Sequence, residues 1–323
     1  MSFMQNQVLG YESPLYGRRT AQFHIKAFDY LDSGLFFPTL SAVDKMAAYS
    51  VCGGIPQYLN ALAQHPDLVD GIYECFFKKT GVLYEEPENL LKQELREPSV
   101  YNTLITSIAT GASKLNEIST KSGEDNKKSS KYLKSLIDLQ ILRKEYPYGV
   151  KAERNSVYEL MDNMFRFWYR YIPQNVTNIE SGHGKQVLEK YVMPNISEYV
   201  GRIFEDACRE YMLIQNGSDN IPFLLKGIGK WWGTNPETKM QDEIDIIADA
   251  EEKAVFGECK WTNSDIGVDV LHKLMEKSMI FGKYTKRYYM FFSKTGFSKS
   301  LLDKANADEV MLVNLDALYE NPD

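Results

Sequence analysis

The stretch from Asp242 to Trp261 constrains the fold of this chain more than any other part of its sequence. Residues 242–248 alternate acidic and branched apolar side chains, and residues 255–261 alternate small or apolar residues with charged ones. The polar residues 249–253 between them favour a turn. Alternation with a period of two is the pattern of a strand, so the stretch predicts a β-hairpin.

The register of this hairpin decides which side chains meet. A turn centred on Glu251 and Glu252 places Asp245 directly opposite Glu258. Opposed residues of an antiparallel pair hold their Cβ atoms roughly 4.5 to 5.5 Å apart, and like charges there are destabilising. A loop of odd length would instead send the two carboxylates to opposite faces.

A divalent cation between Asp245 and Glu258 would relieve their repulsion. Hard oxygen ligands suit Mg²⁺ or Mn²⁺. Lys260 shares a face with Glu258 and would orient or activate a nucleophilic water, or neutralise charge growing on a phosphate. The apolar pair Ile247 and Phe256 would form a floor beneath the charges. The alternative interpretation is a solvated hairpin face with cross-strand ion pairs.

The segments on both sides of the hairpin have clear periodic patterns. Upstream, Glu205 lies at the border of an apolar stripe with helical spacing. The stripe consists of Val200, Ile203, Phe204, Ala207, Cys208, Tyr211 and Met212. Downstream, the pattern predicts a helix, a strand, a second helix and a last strand over residues 268–281, 288–293, 298–307 and 310–315.

Asp245 followed by Glu258-Cys259-Lys260 resembles the signature of the PD-(D/E)xK, restriction-endonuclease-like nucleases. The resemblance implies an α/β domain with a central mixed sheet over residues 185–323, with Asp245, Glu258 and Lys260 as catalytic residues and Asp245 and Glu258 as metal ligands. In such nucleases an acidic residue of the first helix often joins the metal site. Glu205 is at the matching position, and the resemblance implies that it assists as a fourth catalytic residue.

Motifs spread over nearly the whole chain resemble the archaeal-type ATPase family, AAA+ proteins that end in such a nuclease-like domain. They are residues 13–20, 53–59, 165–170, 204–205 and 257–261. The expected fold class is therefore multidomain, α and α/β. The resemblance implies the tail of an ATPase core at 1–40, a helical lid at 41–98, a winged helix at 99–150, an aromatic helix with a linker at 151–184, and then the nuclease-like domain.

The P-loop half of such an ATPase is missing from this sequence. No Gly-x-x-x-x-Gly-Lys-(Ser/Thr) motif occurs, and Gly227-Ile228-Gly229-Lys230 has the wrong spacing. ATP hydrolysis by this chain alone is therefore not expected, and ATP binding is implied only for full-length relatives. An ATPase domain or subunit acting in trans would be a partner.

Arg18 and Arg19 resemble the family's basic motif near the subunit boundary. They are candidates for an ATPase arginine finger. The alternative is a surface turn with two solvated arginines.

The proposed winged helix carries a local excess of positive charge. Residues 121–144 contain seven basic and three acidic side chains, although the whole chain has a formal net charge of −7. Lys127, Lys128, Lys131 and Lys134 lie at or near the start of its third helix, which would enter the major groove of duplex DNA. The alternative is a winged helix that contacts proteins and carries merely solvated lysines.

Other features of the sequence limit the class of protein. Cys52, Cys75, Cys208 and Cys259 are widely spaced and form no CxxC pair, which favours reduced thiols in a cytoplasmic protein. The four histidines show no ligand spacing, so a zinc site is not expected. No apolar run approaches the roughly 20 residues of a membrane helix, so no membrane partner is expected.

These observations predict a DNA-binding protein with a Mg-dependent phosphodiester-cleaving domain. The alternative is a non-catalytic DNA-binding or regulatory module of an ATPase system, in which the nuclease fold serves only for binding.

Overall fold

The fold is a mixture of helices and two β-sheets. The computed structural model describes residues 25–150, 155–236, 238–305 and 309–320, together with positions 11, 13, 16, 17, 20, 21 and 23. In chain order, the described residues up to Tyr171 form α1 (Tyr30–Gly34), α2 (Ala42–Cys52), α3 (Pro56–Ala63), α4 (Leu68–Phe76), α5 (Glu86–Glu94), α6 (Pro98–Ala109), α7 (Leu115–Ser122), α8 (Asn126–Asp138), β1 (Leu142–Glu145), β2 (Val157–Leu160) and α9 (Asn163–Tyr171).

The second half continues with short helical turns and then a longer helix and a sheet. Its elements are α10 (Val176–Asn178), α11 (Gly184–Val187), α12 (Ile196–Ile214), β3 (Gly227–Thr234), β4 (Gln241–Ala250), β5 (Lys253–Lys260), α13 (Val268–Ser278), β6 (Lys286–Ser293), α14 (Lys299–Ala305), β7 (Val310–Asn314) and α15 (Leu315–Leu318). Among the residues described, we find no helix that is both long and apolar enough to cross a membrane.

The chain divides into two compact units, which we describe separately. The first contains Val51–Glu145 and Ser156–Pro194, and the second contains Asp29–Ser50, Tyr146–Asn155 and Asn195–Asp323. The resemblance to the archaeal-type ATPase family implied that residues 29–40 belong to the tail of an ATPase core and residues 41–50 to a helical lid. In the structure they group with the C-terminal sheet.

Buried hydrogen bonds explain this grouping of residues 29–50. Glu210 of α12 accepts the backbone N–H of Tyr30 at 3.1 Å and the hydroxyl of Tyr49 at 2.9 Å. The Tyr30 hydroxyl in turn donates to the Leu318 carbonyl at 2.9 Å. Both tyrosines are buried, so leaving these polar groups unpaired would destabilise the fold.

In the first unit, α6, α7 and α8 are followed by the antiparallel pair β1 and β2. The register joins Leu142 to Leu160 and Glu145 to Val157. Buried side chains of each helix form the apolar interior, among them Leu104, Ile118 and Leu133. Helices α7 and α8 and strand β1 lie within residues 99–150, and α6 begins one residue earlier, at Pro98.

The aromatic helix α9 belongs to the interior of the first unit. Its side chains Phe165, Phe167 and Trp168 are buried, and the Trp168 indole N–H donates to the Tyr84 carbonyl at 2.6 Å. These three rings therefore form part of the apolar interior of the first unit. Residues 177–184, expected to be a linker, form helical turns with a kink at Gly182, where φ is 88°.

The second unit is built on a five-stranded mixed sheet in the order β3-β4-β5-β6-β7. Strands β3, β4 and β5 are antiparallel neighbours, whereas β5, β6 and β7 are parallel. Parallel strands need crossover connections, which α13 and α14 supply. The helices and strands predicted downstream of the hairpin are confirmed, with bounds shifted by up to three residues.

Helices cover both faces of this sheet. On one face, Leu271 and Leu274 of α13 pack with Ile247, Phe256 and Phe291. On the other face lies α12, whose Tyr211 ring is 5.7 Å from that of Phe292. Neighbouring residues on a strand point to opposite faces, which is why Phe291 and Phe292 contact different helices.

Candidate functional site

The register of the β4–β5 hairpin agrees with the sequence prediction. Ala250 pairs with Lys253, so Glu251 and Glu252 form the turn, and Ile246 pairs with Gly257. Asp245 and Glu258 are the next residues beyond this last pair, and the Asp245 side chain accepts the backbone N–H of Cys259. The two carboxylates therefore lie on neighbouring strands at the same end of the hairpin.

A β-bulge lies where the site forms. Gly229 pairs with Ile247 and Trp231 with Ile244, so Lys230 alone opposes both Asp245 and Ile246. The extra residue breaks the alternation of β4, and Ile244 and Ile247 both join the core beneath α13. The simple alternation predicted from sequence is wrong at this point. Bulges of this kind change the direction of a side chain next to functional sites.

Asp245 is almost completely buried, with 6% of its surface exposed. Its Oδ2 atom accepts the backbone N–H of Cys259 at 2.9 Å. Burial and the nearby Glu258 carboxylate raise the pKa of Asp245, although the Cys259 N–H, Lys230 and Lys260 oppose the rise. A buried carboxylate next to a second one is a place where a cation is favourable.

Glu258 and Lys260 form a close ion pair at the end of β5. The Lys260 Nζ atom is 2.5 Å from Glu258 Oε1, and the side chains are 38% and 13% exposed, respectively. Burial alone would lower the pKa of Lys260, but Glu258 and Asp245 outweigh it and the pKa rises. Lys260 is therefore held as a cation, which suits it to stabilise negative charge rather than to accept a proton.

Glu205 of α12 pairs with Lys230 of β3, a residue that the sequence analysis did not identify as part of the site. Lys230 Nζ lies 2.8 Å from Glu205 Oε2, and both side chains are about three quarters buried. Burial and the Asp245 carboxylate raise the pKa of Glu205, whereas Lys230 lowers it. Burial would lower the pKa of Lys230, but Glu205 and Asp245 raise it above its ordinary value.

Gly227 and Gly229, which precede Lys230, make room for the side chain of Tyr148. A Cβ atom at Gly227 would lie 2.2 Å from the Tyr148 hydroxyl oxygen, and one at Gly229 would lie 2.8 Å from the Tyr148 ring. The Tyr148 N–H donates to the Lys230 carbonyl at 2.7 Å. The Gly-Ile-Gly-Lys sequence therefore lets Tyr148 lie against β3, where Lys230 points at the site.

The site offers two carboxylates to a cation, Asp245 and Glu258. Mg²⁺ commonly binds through one or two carboxylates and keeps several waters, so Asp245 and Glu258 fit it. A positive ion between them would also relieve the repulsion between the two carboxylates. Among the described residues, no group of three or more histidine, cysteine or acidic side chains is arranged to hold a metal ion. All four cysteines, including Cys208 and Cys259 close to the site, are free and buried.

The other candidate residues lie elsewhere. Lys127, Lys131 and Lys134 are exposed on α8 of the first unit, and Lys128 is partly exposed and 2.9 Å from Glu124. Arg18 and Arg19 lie outside the described residues.

Comparison with known proteins yields a matching protein family, a similar curated protein and a similar solved structure. The family, DUF234, is described as archaeal and bacterial proteins of unknown function, and its model matches residues 168–277. This range contains Glu205, Lys230, Asp245, Glu258 and Lys260. The whole candidate site therefore lies within the matched segment.

The chain is similar to the uncharacterized protein MJECL04 of Methanocaldococcus jannaschii. The two are 30% identical over 315 residues, which cover 95% of this chain and 68% of the relative. The crystal structure of protein VC1899 from Vibrio cholerae matches with a TM-score of 0.28 and 15% identity. That match covers 73% of this chain and about half, 52%, of the solved one.

The long match to the archaeal relative and the family match across the candidate site together give the family of this protein. The chain belongs to the DUF234 family of archaeal and bacterial proteins of unknown function.

Proposed function

We propose that this protein binds DNA and that its second unit cleaves phosphodiester bonds with Mg²⁺ or Mn²⁺ as cofactor. The observation that carries the proposal is the meeting of Asp245, Glu258 and Lys260 at one end of the β4–β5 hairpin. Asp245 is buried there beside a second carboxylate, and Lys260 lies 2.5 Å from Glu258.

The arrangement of elements around these residues supports a PD-(D/E)xK nuclease-like domain. Helix α12 is followed by the three antiparallel strands β3, β4 and β5, then by α13 and the parallel strand β6. This is the order of helix, three strands, helix and strand that the signature of Asp245, Glu258 and Lys260 implies.

Each residue of the site has a distinct chemical role in this proposal. Asp245 and Glu258 would hold the cation, which would supply Lewis-acid stabilisation of the phosphate. The protonated Lys260 would orient the attacking water and offset negative charge on the phosphate oxygens. The Cys259 N–H fixes Asp245 in its buried position, and Ile247 and Phe256 form part of the apolar core beneath the hairpin.

The first unit supports the DNA-binding part of the proposal. Helices α6, α7 and α8 followed by the β1–β2 pair have the order of a winged helix, with α8 as the recognition helix. Lys127, Lys131 and Lys134 have the spacing i, i+4 and i+7, so they share one helical face. These three lysines are exposed, whereas Leu133 and Leu136 on the other side of α8 are buried.

A second candidate is a non-catalytic DNA-binding or regulatory module. It is favoured because two of the three carboxylates of the site are paired with lysines. Glu258 pairs with Lys260 and Glu205 with Lys230. In this case an ATPase domain or subunit would act in trans.

Nicking of supercoiled plasmid tests the proposal. The purified chain is incubated with Mg²⁺, with Mn²⁺ or with EDTA, beside the Lys260→Ala variant. We expect nicking that needs the cation and falls about 100-fold or more in the variant, because a positioned charge is lost from the transition state. Plasmid binding without nicking in all reactions would favour the second candidate.

A further inference from the structure

Lys230 is placed at the site by the β-bulge. It is the one residue of β3 that lies between the pairs Gly229–Ile247 and Trp231–Ile244, and it opposes both Asp245 and Ile246. The Tyr148 N–H donates to its carbonyl at 2.7 Å, which fixes the backbone at this point. The backbone position of Lys230 therefore follows from the bulge and from this hydrogen bond.

The contacts of Lys230 are unequal. Its Nζ atom is 2.8 Å from Glu205 Oε2 but 3.9 Å from Glu243 Oε2, and the Glu243 side chain is 63% exposed. Glu205 and Lys230 are only 26% and 21% exposed. A charge in such a buried pair is costly to leave without its partner, so Glu205 and Lys230 hold each other in place.

This pairing distinguishes Glu205, which is held by Lys230, from Asp245 and Glu258, which can bind a cation. Glu205 can bind a cation only if it gives up Lys230, which would leave the Lys230 ammonium buried without its closest carboxylate. Glu258 is also paired, but its partner Lys260 is more exposed than Lys230, with 38% of its surface accessible. Water can solvate Lys260 when Glu258 takes a cation.

We propose that Lys230 withholds Glu205 from metal coordination, so that the site takes a single divalent cation, bound by Asp245 and Glu258. Lys230 is a positioning residue in this scheme: its charge stands where a second cation would otherwise be held by Glu205 and Asp245. The inference rests on the proposed function for the identity of the cation as Mg²⁺ or Mn²⁺.

Calorimetric titration of the full chain with Mn²⁺ tests this inference. We expect one bound Mn²⁺ per chain, retained in Glu205→Gln with an affinity within about threefold of the original. Glu258→Gln should weaken binding at least about tenfold because it removes one of only two carboxylate ligands. Lys230→Met frees Glu205 and should add a second Mn²⁺, whereas Lys230→Arg keeps the ion pair and should keep a single one.

Several results would overturn the inference. They are two Mn²⁺ ions bound to the unaltered chain, a loss of affinity in Glu205→Gln as large as that in Glu258→Gln, or a single Mn²⁺ in Lys230→Met. If any of them occurs while plasmid nicking remains, the inference fails and the proposed function stands. A chain that binds one Mn²⁺ but nicks no DNA would leave the inference standing without the proposed function, and a chain that binds none would overturn both.

A double-mutant cycle measures the ion pair without any cation. Urea midpoints are compared for the unaltered chain, Glu205→Gln, Lys230→Met and the double variant, all in EDTA. The pair predicts that Glu205→Gln lowers the midpoint less in the Lys230→Met background than in the unaltered chain. Equal effects in both backgrounds would mean that the two side chains are not coupled and would contradict the inference.

Discussion

The Asp245 carboxylate accepts the backbone N–H of Cys259 at 2.9 Å, at the point where the β4–β5 ladder gives way to the site. The last backbone pair before it joins Ile246 to Gly257. The Asp245 side chain thus accepts a hydrogen bond from β5 that a backbone carbonyl of β4 would accept in a regular ladder. This bond fixes the Asp245 carboxylate near Glu258.

This hydrogen bond predicts a difference between two substitutions of Asp245. Asp245→Ala leaves the buried Cys259 N–H without an acceptor and should cost about 1–3 kcal/mol of unfolding free energy. Asp245→Asn keeps an acceptor oxygen and removes the repulsion with Glu258, so it should be as stable as the original chain or more so. Urea unfolding in EDTA measures both, and a similar loss in the two variants would contradict this account.

Both Asp245 variants should nevertheless lose cation binding. An amide or a methyl group cannot replace the negative charge that Mg²⁺ or Mn²⁺ requires from its ligand. Stability and cation binding are therefore expected to separate in Asp245→Asn, and Mn²⁺ titration of that variant checks this.

The sequence predicted the hairpin and its register because the information is local. Alternation of charged and apolar residues marks each strand, and the turn at Glu251 and Glu252 sets the pairing that brings Asp245 and Glu258 together. The bulge could not be predicted in the same way, since an extra residue in β4 is defined only by its pairing with β3. Strict alternation predicts that Ile247 shares the face of Asp245 and that Ile244 lies on the opposite face. In the structure Ile244 and Ile247 belong to the same core.

The place of Lys230 in the site could not be predicted from local sequence for a related reason. Gly227 and Gly229 make room for Tyr148, a residue that is distant in sequence. The local Gly-Ile-Gly-Lys pattern by itself indicates only that the spacing of a phosphate-binding loop is absent. The grouping of residues 29–50 with the sheet likewise depends on the bonds of Tyr30 and Tyr49 to Glu210. Contacts between distant segments determine these features, and one sequence does not reveal them.

The packing of Tyr148 against β3 predicts a conditional cost for a methyl group at Gly227. The added Cβ would lie 2.2 Å from the Tyr148 hydroxyl oxygen but 3.3 Å from the ring carbon that carries it. Gly227→Ala should therefore destabilise the chain by about 1–3 kcal/mol, the usual effect of overpacking. The cost should be smaller in a Tyr148→Phe background, and thermal unfolding of the four chains measures it. An equal cost in both backgrounds would show that the hydroxyl is not the obstacle.

The buried Glu210 predicts a pH dependence of stability. Burial raises its pKa from the ordinary value of 4.5 to about 7, although the Tyr30 N–H and the Tyr49 hydroxyl lower it. The folded chain thus binds a proton that the unfolded chain releases, so the stabilisation is complete below pH 4.5 and is lost as the pH rises through 7. The loss from this group is on the order of 3 kcal/mol.

Glu210→Gln isolates this contribution. The variant cannot ionise at this position, so the difference in its unfolding free energy between pH 5 and pH 8 should be smaller than in the original chain. Urea unfolding at the two pH values provides the comparison. A variant that keeps the whole pH dependence would assign it to other groups.

The lysines of α8 predict the salt dependence of DNA binding. Replacing Lys127, Lys131 and Lys134 together by glutamine should weaken binding to duplex DNA of any sequence and reduce the slope of log affinity against log salt by about 2 to 3. The matched control replaces three other exposed lysines of the first unit, Lys79, Lys185 and Lys190. Equal losses in both triple variants would indicate a diffuse charge effect and no recognition role for α8.

The most direct test of the central claim compares two glutamates of one hairpin in the plasmid-nicking reaction with Mn²⁺. Glu258 lies at the site beside Lys260, whereas Glu251 is in the turn at the other end, with a side chain that is 77% exposed and paired with Lys226. We predict that Glu258→Gln abolishes cation-dependent nicking and that Glu251→Gln retains it. Full nicking activity in the Glu258→Gln protein would contradict the assignment of this site as a phosphodiesterase centre.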